Sequence, residues 1–181
     1  GVAISEGALA NLFQVVKIRL DHRVEEILTR LRCSRLICSD ETGARVHGRT
    51  QWEWVFQNAE VCVHVIRPSR GHGVIHEVLG DHRPTVWVSD LYSAQQNHPA
   101  EQWQVCLAHQ LRDCQFAIEA GDAVFAPRMK AVLLRAFAIH KRRDTIAAST
   151  LYQYQCDLQR RVHRCLALEP ANPHGRRLQK R

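Results

Sequence analysis

The chain has 181 residues, of which 45% are hydrophobic, and its formal net charge is +7. This length fits one domain, or one domain with a sizeable insertion, and the apolar content is enough for a buried core. No apolar run approaches the roughly 18–20 residues that a transmembrane helix needs, so a membrane-spanning helix is excluded, and no secretory leader is evident. Because the chain begins at Gly1 and ends on a basic LQKR segment, we interpret it as a fragment of a longer protein.

The first third of the sequence predicts one helix followed by three strands. Apolar residues recur every three or four positions between Ser5 and Arg32, which is the spacing of an amphipathic helix with Ser5 as its N-cap. Residues 36–40 (LICSD) form a short apolar run that ends on Asp40, and the following ETG residues are typical of a turn. Two further runs, 51–56 and 61–66, complete a predicted antiparallel meander with a turn at His47-Gly48.

The next segment alternates helix and strand. A short helix is predicted over residues 73–79, and the run at 85–90 (TVWVSD) again ends on a carboxylate, Asp90. Since a helix and a loop precede this run, we expect it to lie parallel to the strand that ends at Asp40. A possible fifth strand at 103–106 leads into a helix with apolar residues on one face through residue 118.

Beyond Gly121 the pattern is entirely helical and strongly basic. Residues 1–120 hold 12 Lys or Arg and 14 Asp or Glu, a net −2, whereas residues 121–181 hold 13 and 4, a net +9. This asymmetry indicates a polyanionic partner, with nucleic acid the first candidate, although a solvated basic helix face gives the same pattern. The order of elements predicts an α/β fold with a helical appendage.

The seven cysteines have irregular spacing and no C-x-x-C pair. Neither a zinc ribbon nor a thioredoxin-like redox motif is therefore supported. Several cysteines, such as Cys114 and Cys165, stand at apolar positions of periodic segments, and we interpret them as buried free thiols of a cytoplasmic protein.

Asp40 and Asp90 share one setting, because each follows Ser at the end of a short apolar strand. If the two strands are adjacent and parallel, both carboxylates emerge at the same edge of the sheet, where their repulsion favours a bound cation. Mg²⁺ prefers oxygen ligands and keeps waters for substrate phosphates, and a pair of such ions supports phosphoryl transfer. The alternative is that each Asp serves only as a turn residue after its strand.

Five short blocks follow one another in order between about residues 4 and 120. They are ISEG (4–7), SDETG with RVHG and the WEWVF strand (39–56), RPSRG (67–71), VSDLY (88–92) and CLAHQLRD (106–113). In this order the blocks resemble the IS66 family of insertion-sequence transposases.

The resemblance implies an RNase H-like mixed sheet with flanking helices plus a helical insertion. It divides the chain into an N-terminal helix (1–34), a catalytic core with the first two carboxylates (35–120) and a basic helical insertion (121–181). The implied chemistry is cleavage and joining of DNA strands by the DDE mechanism with Mg²⁺ or Mn²⁺. The third acid, a Glu in an Asn-rich block, has no counterpart here, so we expect it beyond Arg181 and expect this chain alone to bind metal weakly and not to cut DNA.

Several basic residues are candidates for DNA contact. The second-half clusters are expected to give non-specific phosphate contacts, with a solvated helix face as the alternative. For His109 the alternative is a side chain satisfied by a local hydrogen bond, and for Arg67 and Arg70 it is ordinary exposure on a turn. The candidates are Arg67, Arg70, His109, Arg112, Arg160, Arg161 and Arg164, with the run Lys141-Arg142-Arg143 beside them.

Three functions remain open from the sequence. The first is a bacterial DNA transposase core that acts on double-stranded transposon ends and target DNA, with self-association and accessory proteins of the same element as expected partners. The second is a non-catalytic DNA-binding remnant of such an enzyme. The third is another RNase H-like nuclease with the same metal chemistry.

Overall fold

The computed structural model describes residues 3–96 and 98–181. The chain forms two compact units, 1–104 and 105–181, and each is described by itself. None of the helices in the described ranges combines the length and apolarity that crossing a bilayer would require. The sequence pattern groups the helix at 107–119 with the strands, whereas the structure packs it in the second unit. The domain boundaries expected at 34/35 and 120/121 remain predictions.

The first unit is built on a mixed five-stranded sheet in the order β3-β2-β1-β4-β5. Strands β1, β2 and β3 are antiparallel neighbours, while β4 pairs with β1 in parallel. This mixed α/β architecture agrees with the expected RNase H-like fold. Its elements are α1 (Glu6–Arg32), β1 (Leu36–Val46), β2 (Arg49–Gln57), β3 (Cys62–Arg67), α2 (Gly73–Leu79), β4 (Val86–Ser89), α3 (Ser93–Gln96) and β5 (Gln102–Val105).

Helix α1 begins where the sequence predicts. The Ser5 hydroxyl accepts a hydrogen bond from the Ala8 backbone N–H at 3.1 Å, which satisfies one of the unpaired donors of the first turn. Near its C-terminal end Leu31 is fully buried in the core of the first unit. The earlier apolar positions of the helix, including Leu12 and Val16, are exposed.

The turn predicted at Glu41-Thr42-Gly43 is wrong, because those residues continue β1. Their backbone pairs with β2 in an unbroken ladder that runs on to Val46 opposite Arg49. The chain reverses instead at His47 and Gly48, whose φ angles are 49° and 76°. Two successive positive φ values match the tight hairpin turns whose twist suits antiparallel strands.

The core of the first unit lies on one face of the sheet, under α2 and the end of α1. Trp54, Phe56 and Trp87 are completely buried there, and the ring centroids of Phe56 and Trp87 are 6.5 Å apart. Ile37 on β1 pairs with Trp87 on β4, so the parallel strand pair also runs through this core.

His98 lies buried beside Trp87, with ring centroids 4.9 Å apart, and its Nε2 is 3.0 Å from the backbone oxygen of His82. Burial lowers the pKa of His98 below its ordinary value of 6.5. The unfolded chain therefore binds the proton first as the pH falls, and stability is lost below about pH 6.5.

We predict that the free energy of unfolding falls more between pH 7.5 and pH 5.5 in the wild type than in His98→Gln, by at most about 1.4 kcal/mol, the limit that an unfolded-state pKa of 6.5 sets. Glutamine retains a donor for the His82 carbonyl but does not titrate. Urea unfolding at both pH values measures the difference, and equal losses in the two proteins would contradict the assignment.

The second unit is helical. Asp122 is buried and accepts hydrogen bonds from the backbone N–H groups of Val124, at 3.2 Å, and Ala126, at 2.7 Å. Its carboxylate packs so closely on Gly175 that a Cβ added at residue 175 would lie 2.5 Å from the Asp122 Cγ.

The last helix of the second unit, which Asn172 caps, is not predicted from the proline-rich sequence around it. The elements are α4 (Leu107–Glu119), α5 (Ala126–His140), a 3₁₀ turn (Arg143–Thr145), α6 (Ala148–Leu166) and α7 (Pro173–Gln179).

Candidate functional site

The strand register brings the two predicted aspartates to neighbouring positions. Strand β1 pairs in parallel with β4 so that Leu36 matches Val86 and Cys38 matches Val88. Two residues further along, the same register matches Asp40 with Asp90. Neighbouring strands are about 4.7–4.9 Å apart, so both residues lie at one place on the sheet.

The two aspartates belong to the sheet face opposite the core. Along β1, Ile37 and Ser39 are buried and the side chain of Glu41 is 1% exposed, whereas Asp40 between them is exposed. Along β4, Trp87 and Ser89 are buried, and continuing this alternation by one residue past the strand puts Asp90 on the same side as Asp40.

Local backbone bonds orient both carboxylates. The Glu41 backbone N–H donates to Asp40 Oδ1 at 3.0 Å, and the Tyr92 backbone N–H donates to Asp90 Oδ1 at 2.9 Å. Each aspartate thus has one carboxylate oxygen held by a neighbouring amide. The Asp90 bond closes a turn directly after β4, which fixes this side chain at the end of the strand.

This pair suits a hard divalent cation that shares its ligands with water and phosphate. Mg²⁺ commonly binds through one or two carboxylates and completes its shell with waters and substrate oxygens. Within residues 3–96 and 98–181, no group of three or more His, Cys, Asp or Glu is arranged to hold a metal ion. If a divalent ion binds at this place on the sheet, Asp40 and Asp90 are the carboxylates that would hold it.

Directly behind Asp40, on the core face, lies a set of polar and aromatic side chains that we call the Glu41 network. Glu41 Oε1 accepts hydrogen bonds from Arg70 Nε and Nη2 at 3.0 and 2.7 Å, and its Oε2 accepts from Gln95 Nε2 at 2.6 Å. The Arg70 guanidinium carbon lies 4.5 Å from the centroid of the Trp52 ring and 3.9 Å from that of Tyr92. The network consists of Glu41, Trp52, Arg70, Tyr92 and Gln95.

The predicted DNA-contact arginines of the first unit are therefore in ion pairs. Arg67 Nε donates to both Glu77 oxygens at 3.0 Å, and this hydrogen bonding holds the pKa of Glu77 below its ordinary value. Arg70 is paired with the buried Glu41. Whether either arginine also contacts DNA remains a prediction.

The other predicted contacts lie in the second unit. His109 and Arg112 are on α4, and Arg160, Arg161 and Arg164 are on α6. The first unit carries 11 Lys or Arg against 12 Asp or Glu, and the second carries 14 against 6, a net +8. The basic charge is therefore concentrated in the helical unit.

A groove of about 420 Å³ between α5 and α6 is lined by three of the arginines of this unit. Arg128, Arg161 and Arg164 line it, over a floor formed by Ala131, Val132, Cys165 and Leu168. Arg161 also donates to Asp157 at 2.8 Å, and this hydrogen bond lowers the pKa of the carboxyl. The sequence did not single out Arg128, because it is not part of a run of consecutive basic residues and joins the others only through helix packing.

The family model for the IS66 transposase family matches residues 1–178, nearly the whole chain. The chain belongs to the IS66 transposase family. The searches of curated proteins and of solved structures gave no significant match. Membership of the IS66 family confirms the resemblance carried by the five sequence blocks.

Proposed function

We propose that this IS66-family chain contributes Asp40 and Asp90 as metal-binding carboxylates of a DDE-type DNA strand-transfer site. The observation that carries the proposal is the parallel pairing of β1 with β4 up to Cys38 and Val88, a register that places Asp40 beside Asp90 when it is continued by two residues. A lone aspartate at a strand end is ordinary turn chemistry, but two on adjacent parallel strands, on the same face, form a negative pair that a cation neutralises.

In this chemistry the two aspartates would hold and orient the divalent ion. A divalent ion bound there would stabilise charge on the attacking and leaving oxygens of a phosphoryl transfer. Asp40 is held within a long paired strand, and Asp90 by its turn bond to Tyr92. The third carboxylate of the mechanism, expected beyond Arg181, remains a prediction, as do self-association and accessory proteins.

The basic helical unit is proposed to hold double-stranded DNA. Its net charge of +8 and its arginine groove supply sequence-independent contacts to phosphates. Arg128, Arg161 and Arg164 are assigned to this surface, together with the exposed Arg112 and Arg160 on α4 and α6.

The metal site is tested by Mn²⁺ binding to the 181-residue chain, followed by the electron paramagnetic resonance signal of free Mn²⁺. Asp40→Asn and Asp90→Asn should each weaken binding by roughly tenfold or more, because each removes one of two anionic ligands. Asp81→Asn, which neutralises an exposed aspartate of the same unit, serves as the control and should bind like the wild type. Equal affinity in all four proteins would rule out the paired site.

A further inference from the structure

The Glu41 network connects the two strands that carry the proposed metal ligands. Glu41 is the residue after Asp40, and its backbone N–H holds the Asp40 carboxylate at 3.0 Å. Tyr92 holds the Asp90 carboxylate through its own backbone N–H at 2.9 Å. Arg70 contacts both Glu41 and the Tyr92 ring, so one side chain lies against the neighbour of each aspartate.

Gln95 provides a second connection of the same kind. It is completely buried on α3, the short helix after Asp90, and donates to Glu41 Oε2 at 2.6 Å. Its backbone N–H donates to the Tyr92 carbonyl at 3.0 Å, which ties the helix to the Asp90 turn. Each carboxylate oxygen of Glu41 is thereby fixed by a donor from a segment outside β1.

Stability alone does not account for this arrangement. The Glu41 side chain is 1% exposed, and removing a carboxylate from water is costly even when a partner is present. Apolar side chains of similar volume often serve a fold equally well or better at such positions. What a buried carboxylate supplies beyond apolar packing, when a stacked guanidinium donates two hydrogen bonds to one of its oxygens, is direction, because these donors and acceptors fit in one geometry.

We propose that Arg70, Glu41 and Gln95 are positioning residues that set the separation and orientation of Asp40 and Asp90 for the divalent ion. This inference rests on the proposed function of the two aspartates. The three residues contact the backbone-bonded neighbours of the ligands from the core face, and they act through Glu41 and Tyr92 rather than on the metal itself.

The test measures Mn²⁺ affinity and melting temperature of the 181-residue chain for Arg70→Lys and Glu41→Gln. Lysine retains the charge of Arg70 but loses the pair of hydrogen bonds from Nε and Nη2 to Glu41 Oε1 and the contact of the planar guanidinium with Trp52 and Tyr92. Glutamine retains the shape of Glu41 but removes its charge. Each variant should bind Mn²⁺ about tenfold more weakly, the usual size of effects from residues that orient metal ligands.

Two controls separate positioning from general destabilisation. Val63→Ala removes core packing from the neighbouring strand β3 without touching the network, and it should lower the melting temperature while affinity stays within about twofold. Arg23→Lys alters an arginine in an exposed ion pair with Glu26 on α1 and should change neither quantity.

The outcomes are distinguishable. Wild-type affinity in both Arg70→Lys and Glu41→Gln, or a loss no larger than that of Val63→Ala at equal destabilisation, overturns the positioning role and leaves the metal site intact. If wild-type Mn²⁺ binding does not depend on Asp40 and Asp90 at all, the proposed function itself fails.

Discussion

Replacing Trp54 by alanine should destabilise the first unit by about 3–5 kcal/mol, as expected when a buried aromatic side chain is truncated to a methyl group. Trp54 is completely inaccessible to solvent on β2, and its Nε1 donates to the Ser69 carbonyl at 3.1 Å. The variant loses the packed ring and leaves that carbonyl without its donor. Urea unfolding followed by far-ultraviolet circular dichroism measures the change.

The size of this effect matters because small domains are only about 5–15 kcal/mol more stable than their unfolded chains. Trp54 also lies directly across from Glu41 in the β1–β2 register, so its loss opens the layer that supports the proposed site. Trp103→Ala is the matched control, because Trp103 is 41% exposed and its removal should cost less than about 1 kcal/mol. Similar costs for both substitutions would show that the core does not depend on Trp54.

Much of the fold could be predicted from local patterns. The period of three to four residues located α1, and apolar runs located all five strands, four of them to within two residues at each end. The main error was the extent of β1. Glu41, Thr42 and Gly43 are turn residues by composition, but pairing with β2 outweighs that preference because each residue of the hairpin gains a ladder partner.

Other elements could not be predicted because they depend on tertiary contacts. Helix α7 is only seven residues long and begins at Pro173, so its sequence carries no useful periodicity. It is stabilised by Asn172, which caps it and also donates to the Ala120 carbonyl at 2.9 Å across the second unit. A long-range bond of this kind leaves no signal in the local pattern.

The candidate site also has a part that the sequence predicts and a part that it does not. Two aspartates at strand ends, separated by a helix, are visible in the sequence, and the register of the structure agrees with the predicted parallel pairing. The partner of Glu41 was not visible, because Arg70 lies 29 residues away and the sequence predicts it as a DNA contact, with an exposed turn arginine as the alternative. A buried carboxylate and its counter-charge can be matched only when the strand face and the returning turn are known together.

The arginine groove of the second unit leads to the other large expected effect. Changing Arg128, Arg161 and Arg164 together to alanine should weaken binding to a duplex DNA of about 30 base pairs and reduce its salt dependence. Each phosphate contact contributes about 0.9 to the slope of log affinity against log salt, so three lost contacts reduce the slope by about 2.7. Fluorescence anisotropy at several salt concentrations between 50 and 200 mM measures both quantities.

This slope fixes how the defect should vary with salt. Because the two proteins differ by about 2.7 in slope, the ratio of wild-type to variant affinity should be about fortyfold larger at 50 mM than at 200 mM salt. The fold of the unit should survive, since the three side chains are exposed and Asp157 retains Arg135 at 3.2 Å after Arg161 is removed.

A control with the same charge change separates contact from net charge. Arg19, Arg23 and Arg30 are exposed on α1, and changing all three to alanine lowers the net charge of the chain by the same three units. If DNA lies along the groove, this control should retain most of the wild-type slope, because charges that do not contact phosphates release few counterions. An unchanged slope in the groove variant, or equal losses in both triple variants, would mean that the groove does not hold DNA.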